Sequence, residues 1–394
     1  MKRRIAVVSV GRSDYGLYFP VLRAIEADDE CELLLIASAG HLSSLHGNTI
    51  AETEKDGMAI AESVRMLLAD DSREAVAMSA GLGVYGFAGA YQRLRPDIVL
   101  LLGDRIEMLA AAVAALPMQI LVGHIHGGEL TQGAIDDSAR HAITKLSHLH
   151  FAAAAPYARR IEQMGEEPER VFVTGSPAVD SVKLEPAISK EELEKEFDLD
   201  LSKTLLVTYH PVTLDVQPVK ESIASLLAAL EKFNCGMIVT YPNADAGFAA
   251  IIENLRLFAQ KNSHVRLVTN LGRRKYLSIQ RYVAAMVGNS SSGILEASVL
   301  RVPVVNIGSR QQGRLRPGNV IDTPAEQGAI EAAIQRALSP DFRSGLANMK
   351  NPYGNGDASK KIVEILKSVP LDGTTLKKRF RDLAWTASTP GTAS

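Results

Sequence analysis

The stretch PDIVLLLGD (residues 96–104) sets five apolar residues in a row between Pro-Asp and Gly-Asp. A run that short, without polar alternation, reads as a strand buried on both faces. RIEMLAAAVAAL (105–116) follows with a helical pattern, and QILVGHI (119–125) with another buried strand. The same grammar extends outward. RIAVVSV (4–10), CELLLIAS (31–38), LHFAAA (149–154) and RVFVTGSP (170–177) are predicted strands with helical segments between them. After a charged stretch (181–203) it restarts with TLLVTYHP (204–211), GMIVTYPN (236–243), HVRLVTN (264–270), YVAAMVGNSS (282–291) and VPVVNIG (302–308). Continuous apolar strands separated by helices mean parallel sheets covered on both faces. The predicted fold class is α/β, with two Rossmann-like doubly wound domains facing across a cleft. The expected boundaries are an N-terminal domain over 1–182, a C-terminal nucleotide-binding domain over 183–368, and a C-terminal helix and disordered tail over 369–394.

Bulk properties exclude several functions. At 394 residues, with 46% hydrophobic and 22% charged residues, the composition is that of an ordinary globular chain long enough for two cores. The formal net charge of −2 offers no basic field for nucleic acid. No stretch approaches the roughly 20 apolar residues of a membrane span. The apolar run after MKRR is too short for a signal peptide core, so a cytoplasmic protein is expected. Cys31 and Cys235 lack metal-type spacing and read as buried thiols. The basic amphipathic segment LKKRFRDLAW (376–385) is expected to pack as a terminal helix.

In doubly wound sheets, ligands bind beyond the C-terminal ends of the strands. The polar constellations of this sequence fall just there. GRSD follows the first strand and supplies Arg12 and Asp14. GDR supplies Asp104 and Arg105. In HIHGGE (124–129), His124 and His126 share one face of a strand, with Glu129 beyond a Gly-Gly turn. Such a set is compatible with zinc, but no further ligand set accompanies it, and no metal is expected. His124 reads as a hydrogen-bonded core histidine and His126 as the better acid–base candidate. Asp136 and Asp137 open a helix, where the dipole favours acids, and Arg140 is spaced to pair with Asp136. His210 ends a strand of the opposite domain. GNSSSGILEAS (288–298) offers Ser290 and Ser291 at a helix start suited to an anion, with Glu296 placed for a ribose diol. Arg310 and Arg314 in GSRQQGR (308–314) suit diphosphate oxygens.

Taken together, GDR, HIHGGELTQGAIDDSARHAITKLSHLHF, GSPAVD, HPVT, YPNADAG and GNSSSGILEAS with VPVVNIGSRQQGR resemble the UDP-N-acetylglucosamine 2-epimerase family over about residues 1–322. GAIDDSARHAITK looks like its hydrolysing branch, which makes sialic- and legionaminic-type acid precursors. The chain departs from the family's GTRADYG-type opening, reading VGRSDYG, and has His126 where some hydrolysing relatives have Glu. The resemblance implies a GT-B-like pair of domains, a nucleotide-sugar substrate, no cofactor and a homo-oligomer, dimer or tetramer. It also implies nucleotide-sugar contacts by Arg12, Asn243, Ser290, Ser291, Glu296 and Arg310. Asp104, the Asp136/Asp137 pair and His210 become catalytic-centre residues, and Glu129 lies in the matching acidic loop.

The expected reaction eliminates UDP from UDP-N-acetylglucosamine through a glycal-like intermediate. Water addition then releases N-acetylmannosamine. Proton transfer needs groups on opposite faces of the sugar: Asp104 and the Asp136/Asp137 pair on one side, His126 or His210 on the other. The alternatives are the same chemistry on UDP- or GDP-linked N,N'-diacetylbacillosamine, a GT-B glycosyltransferase that leaves C2 untouched, and a nucleotide-sugar binding protein without turnover.

Overall fold

Two parallel sheets carry the chain. The computed structural model describes residues 2–43, 49–68, 70, 72–131, 135–212, 219–242 and 248–383. The first sheet contains β1 (Arg3–Ser9), β2 (Cys31–Ser38), β3 (Ile60–Val64), β4 (Ile98–Leu102), β5 (Leu121–Ile125), β6 (Leu149–Ala152) and β7 (Val171–Val173). Its order is β3-β2-β1-β4-β5-β6-β7. The second contains β8 (Thr204–Thr208), β9 (Gly236–Thr240), β10 (Val265–Val268), β11 (Ala285–Gly288), β12 (Val304–Ile307) and β13 (Val320–Thr323), in the order β10-β9-β8-β11-β12-β13. Every residue of β4 and β5 is buried, as uninterrupted apolar runs require. Two elements absent from the sequence reading, β3 and β13, lie at sheet edges. Their IAESV and VIDT sequences are half polar because only one flank is covered.

Strand order reverses between β1 and β4, and again between β8 and β11. Each reversal opens a crevice at the strands' C-terminal ends. The four strands lead into Gly11 and Arg12, Gly103 and Asp104, Tyr209 and His210, and Asn289 and Ser290. The two crevices face each other. Separate apolar cores lie on each sheet. A further cluster with Tyr157, Ala178, Leu295 and Tyr353 joins the domains. The Tyr157 hydroxyl accepts from the Leu315 N–H (2.9 Å), and the Tyr353 hydroxyl donates to the Leu315 carbonyl (2.9 Å).

The helix Ala358–Ser368 follows the second sheet in sequence but buries Ile362, Val363 and Leu366 in the N-terminal core. Its first turn is capped by Asp180, whose carboxylate accepts from the N–H groups of Ala358 (3.2 Å) and Ser359 (2.8 Å). The helix expected over 376–385 is not formed where the chain is described. One turn spans Gly373–Leu376, and 377–383 continue as an irregular strap. Lys378 anchors the strap on buried Glu166 (Nζ–Oε2 2.7 Å), which replaces the amphipathic packing that a helix would have used. Residues 384–394 lie outside the described residues. Among the described residues no helix is long and apolar enough to cross a membrane.

Gly288 ends β11 at φ +140°, and a Cβ there would lie 1.9 Å from the Thr208 carbonyl oxygen of β8. This close approach lets the Asn289 N–H bond the Thr208 carbonyl (3.1 Å). Gly288→Ala is therefore expected to destabilise the protein by roughly 3 kcal/mol or more, through clash and backbone strain together, read as a lowered urea midpoint.

Candidate active site

Both crevices open into one cleft of about 860 Å³. Its N-terminal wall is built at the ends of β4 and β5. Asp104 follows Gly103 directly, and its carboxylate Oδ2 receives hydrogen bonds from Arg140 Nη2 and from Thr131 Oγ1 (3.2 Å). Arg140 itself is 1% exposed and also donates to the His126 carbonyl (2.8 Å) and to Thr131 Oγ1 (2.9 Å). Arg140 and Arg314 hold the Asp104 carboxyl below the usual carboxylate range against the opposing effect of burial. Asp104 thus stays ionised at neutral pH. The sequence spacing suggested an Arg140–Asp136 pair. The side chain instead turns inward, because the chain ends at β4 and β5 present a carboxylate and a carbonyl for its fork.

His124 is buried and donates from Nε2 to the Gly103 carbonyl (2.8 Å), with Thr144 Oγ1 at 3.1 Å from Nδ1. Burial drives its pKa down to about 3. It is a structural histidine that fixes the turn before Asp104. His126 sits in the left-handed region (φ +64°), an uncommon conformation for a residue with a Cβ and one that costs about 1 kcal/mol or more. Gly128 follows at φ +74°, where a Cβ would meet the Tyr157 carbonyl at 2.4 Å, so the turn depends on glycine. Both ring nitrogens of His126 meet protein groups: Nε2 is 2.9 Å from Ser176 Oγ and Nδ1 is 3.3 Å from Glu129 Oε1. Burial lowers its pKa, partly offset by Glu129.

Glu129 lies behind the cleft wall at 0% exposure. Its Oε2 is 3.5 Å from Arg314 Nη2 of the opposite domain, and the charges of His126 and Arg314 keep its pKa below the usual range. It acts on the cleft through those two neighbours. The acid pair divides. Asp136 faces the cleft, whereas Asp137 Oδ1 accepts from the Thr131 N–H (2.7 Å) and Oδ2 lies 3.5 Å from His141. Asp14 lines the cleft from the β1 end, with Oδ2 accepting from Ser9 Oγ (2.7 Å) and the Val10 N–H (2.9 Å). Burial pushes its pKa up to about 6. Arg12 and Arg105 are exposed along the same edge, Arg105 paired with Glu107 (3.1 Å).

The C-terminal wall begins with a reciprocal pair. The His210 N–H donates to Asn289 Oδ1 (2.7 Å), and Asn289 Nδ2 donates to the His210 carbonyl (2.9 Å), locking the β8 and β11 ends together. Burial lowers the His210 pKa well below its ordinary value, with added repulsion from Arg310 and Arg12. Arg310 donates to the Asn289 carbonyl (3.2 Å). Ser290 Oγ accepts from the Ser292 N–H (3.3 Å) and caps a single 3-10 turn, Ser291–Gly293, rather than the α-helix start the sequence suggested. The α-helix proper is only Glu296–Leu300, since the chain must turn back at once to β12. Its Glu296 lines the cleft, and burial raises that carboxyl to about 7. Asn243 lies outside the described residues.

Two cleft-lining residues, Arg140 and Arg273, and one buried behind His126, Ser176, carried no sequence signal of a role at the site. Arg140 reads as a solvated helix charge. Ser176 reads as a cap, which it also is, for the helix Pro177–Leu184. Arg273 bridges the domains, stacked 3.4 Å over the Phe19 ring and paired with Glu185 (2.8 Å). Only the GSPAVD and GRRK motifs, read as cleft-facing loops, could have pointed to the latter two.

Residues 23–367 match the family model described as UDP-N-acetylglucosamine 2-epimerase. The chain is 43% identical over 386 residues to the GDP/UDP-N,N'-diacetylbacillosamine 2-epimerase (hydrolyzing) of Campylobacter jejuni, covering 97% of this chain and 100% of that protein. It is 36% identical to the UDP-N,N'-diacetylbacillosamine 2-epimerase (hydrolyzing) of Legionella pneumophila, covering 96% and 99%. The crystal structure of UDP-GlcNAc 2-epimerase from Neisseria meningitidis bound to UDP-GlcNAc superposes with a TM-score of 0.81 at 21% identity, covering 93% of this chain and 99% of that one. This likeness establishes the two-domain α/β fold.

Replacing Arg140 by Met removes the partner of a partly exposed carboxylate and is expected to cost about 2 kcal/mol at pH 7. Because the folded-state pKa of Asp104 is depressed, its contribution is full above the ordinary carboxylate pKa of about 4 and is lost as pH falls through the depressed value. The difference between wild type and variant in urea unfolding should therefore hold between pH 7 and about 5 and narrow as the pH falls below about 4.

Proposed function

The chain belongs to the UDP-N-acetylglucosamine 2-epimerase family, and on that premise we propose that it hydrolyses a nucleotide-linked 2-acetamido sugar with inversion at C2. One observation carries this reading. Asp104, held ionised, and His210, held neutral, stand on opposite walls of a single cleft that also contains the Ser290–Arg310 corner. Proton transfer on both faces of a sugar and charge stabilisation of a leaving diphosphate need that division of labour.

The C1–O bond breaks and its electron pair leaves on the diphosphate, toward Arg12, Arg310 and the hydroxyls of Ser290 and Ser291. The C2 proton passes to Asp104, with Asp136 beside it on the cleft wall, giving a 1,2-unsaturated sugar. His210, having taken a proton from solvent, delivers it to C2 from the other face while water adds its oxygen at C1 and releases its proton to solvent, and Asp104 then gives up its proton to solvent to close the cycle. Burial is the main cause of the depressed His210 pKa, and a bound diphosphate offsets the added repulsion of Arg310 and Arg12, which moves the imidazole toward protonation. His126, with both ring nitrogens engaged, orients the wall, and Glu129 positions it.

For the sugar, we favour UDP-linked N,N'-diacetylbacillosamine over UDP-N-acetylglucosamine, because the Campylobacter and Legionella relatives bear that name. The product would be the manno-configured 2,4-diacetamido sugar, a precursor suited to a legionaminic-type acid. Incubation of the purified protein with UDP- and GDP-linked forms of both sugars in deuterium oxide tests this. Nucleotide release with one deuterium at C2 of an inverted product is expected, with the diacetyl sugar preferred. Full turnover without deuterium at C2 overturns the elimination, and release with retained configuration overturns the epimerase reading.

Glu296 supplies a second test. A ribose diol donates to a carboxylate, so binding favours the ionised form of a group that titrates near 7. UDP affinity is expected to rise by up to about tenfold between pH 6 and pH 8, and Glu296→Gln to remove that part of the pH dependence, as read by calorimetry on both proteins.

A further inference from the structure

Strand β1 ends in a buried chain of polar side chains that leads into the cleft. Ser9, its last residue, is buried, and its hydroxyl donates to Asp14 Oδ2 (2.7 Å). A hydroxyl that donates to a carboxylate keeps its lone pairs for a second donor. His41, buried in the 3-10 turn Ala39–Leu42 after β2, supplies that donor, with Nε2 2.8 Å from Ser9 Oγ. Thr49 Oγ1 lies 2.8 Å from the other ring nitrogen, Nδ1. The Val10 N–H also donates to Asp14 Oδ2 (2.9 Å). Both hydrogen bonds to Asp14 thus fall on one carboxylate oxygen.

The other oxygen, Oδ1, is buried and has no hydrogen-bond partner among the described residues. A carboxylate oxygen left in that state is costly, and a fold keeps it only where something else supplies a donor. Glu296 Oε2 is the other such oxygen on a carboxylate lining the cleft, and the ribose diol accounts for it. Asp14 Oδ1 borders open space. Beyond its chain neighbours, a Cβ on Gly11 would meet only this oxygen within 4 Å, at 3.6 Å. The last side-chain torsion of an aspartate is soft, so a small turn of the carboxyl presents Oδ1 to the cleft.

We propose that Asp14 is the base for the water that adds at C1, a role that rests on the hydrolytic reading of the cleft. Asp14 shares the first turn of the helix Arg12–Glu26 with Arg12, on the side where the diphosphate leaves C1. Asp104 and Asp136 belong to the wall that serves C2. The other carboxylates are committed. Asp104 holds the C2 proton once the glycal-like intermediate has formed, Glu129 is paired behind the wall, and Asp137 bonds the Thr131 N–H. In the hydration step an O–H bond of the water breaks and its proton passes to Asp14 Oδ1. The oxygen's electron pair forms the C1–O bond, and the C1=C2 pair takes the proton from His210. Asp14 then returns its proton to solvent. Burial raises its proton affinity toward neutrality, which suits a base that must both take and release a proton near pH 7.

Separate measurement of elimination and hydration tests this. Asp14→Asn keeps an oxygen for the Ser9 and Val10 donors but has no base at the Oδ1 position. With UDP-N-acetylglucosamine and UDP-N,N'-diacetylbacillosamine as probes, it is expected to release UDP together with the 2-acetamido glycal, where the wild type yields the hydrated sugar. Hydration of the synthetic glycal in the presence of UDP is expected to fall about a hundredfold, with UDP affinity retained in calorimetry. Gly11→Ala, at an extended backbone position that any residue adopts, sets a methyl beside Oδ1 with Asp14 intact. It is expected to slow the same hydration on the order of tenfold. An Asp14→Asn protein that hydrates the glycal at the wild-type rate overturns the proposal. If Asp14→Asn fails to fold or to bind UDP, Gly11→Ala decides, and hydration by it at the wild-type rate overturns the proposal. A wild type inert toward both probes overturns the hydrolytic reading and this role with it, whereas an active wild type with unaffected variants overturns this role alone.

Discussion

Arg140 is almost wholly withdrawn from water, and the active cleft depends on how its charge is compensated. Burying an unpaired guanidinium is prohibitively costly, so the fold must bring it partners. It brings the Asp104 carboxylate, the Thr131 hydroxyl and the His126 carbonyl. Those groups come from the ends of β4 and β5 and the loop after β5, and one planar fork sets their spacing. The arrangement keeps Asp104 ionised and holds the strained His126 backbone in place. It also puts the helix Ile135–Leu146 in register so that Asp136 faces the cleft.

The cleft contains two kinds of acid, and their surroundings divide them. Asp104 and Glu129 lie beside Arg140 or Arg314, and charge outweighs burial. Asp14 and Glu296 lack so close a cation, and burial dominates, giving values near 6 and 7. Groups whose proton affinities are pushed apart in this way suit the two proton transfers and the leaving anion of the proposed reaction. Histidines divide likewise. His124 has become a fixture of the turn before Asp104, and His210, held by Asn289, is kept neutral by burial with added repulsion from Arg310 and Arg12.

Much of the architecture was legible in the chain. Unbroken apolar runs such as IVLLL allow only a doubly covered strand, and their alternation with helices implies parallel sheets. Polar constellations after each strand then had to lie in the crevices, and Asp104, His126, Asp136, His210, Ser290, Ser291, Glu296 and Arg310 do line one cleft. Edge strands β3 and β13 were hidden because half-covered strands need not be apolar. The strap over 377–383 read as a helix because its basic–apolar pattern suits one. A single buried anchor, Lys378 on Glu166, outweighed that propensity.

The sequence by itself determined the two parallel sheets, the switch-point crevices and the residue types gathered at them, because hydrophobic periodicity and strand-end placement are local properties. Only the tertiary structure decided which of those polar groups act on the cleft. Asp136 and Asp137 are adjacent and chemically identical, yet one faces the cleft and the other bonds the Thr131 backbone. Glu129 is sequestered behind His126 and paired with Arg314 of the opposite domain. Arg140 differs from any exposed helical arginine only in what surrounds it. Burial and pairing across long separations set a charge's partners and its proton affinity, and nothing in the local sequence encodes either.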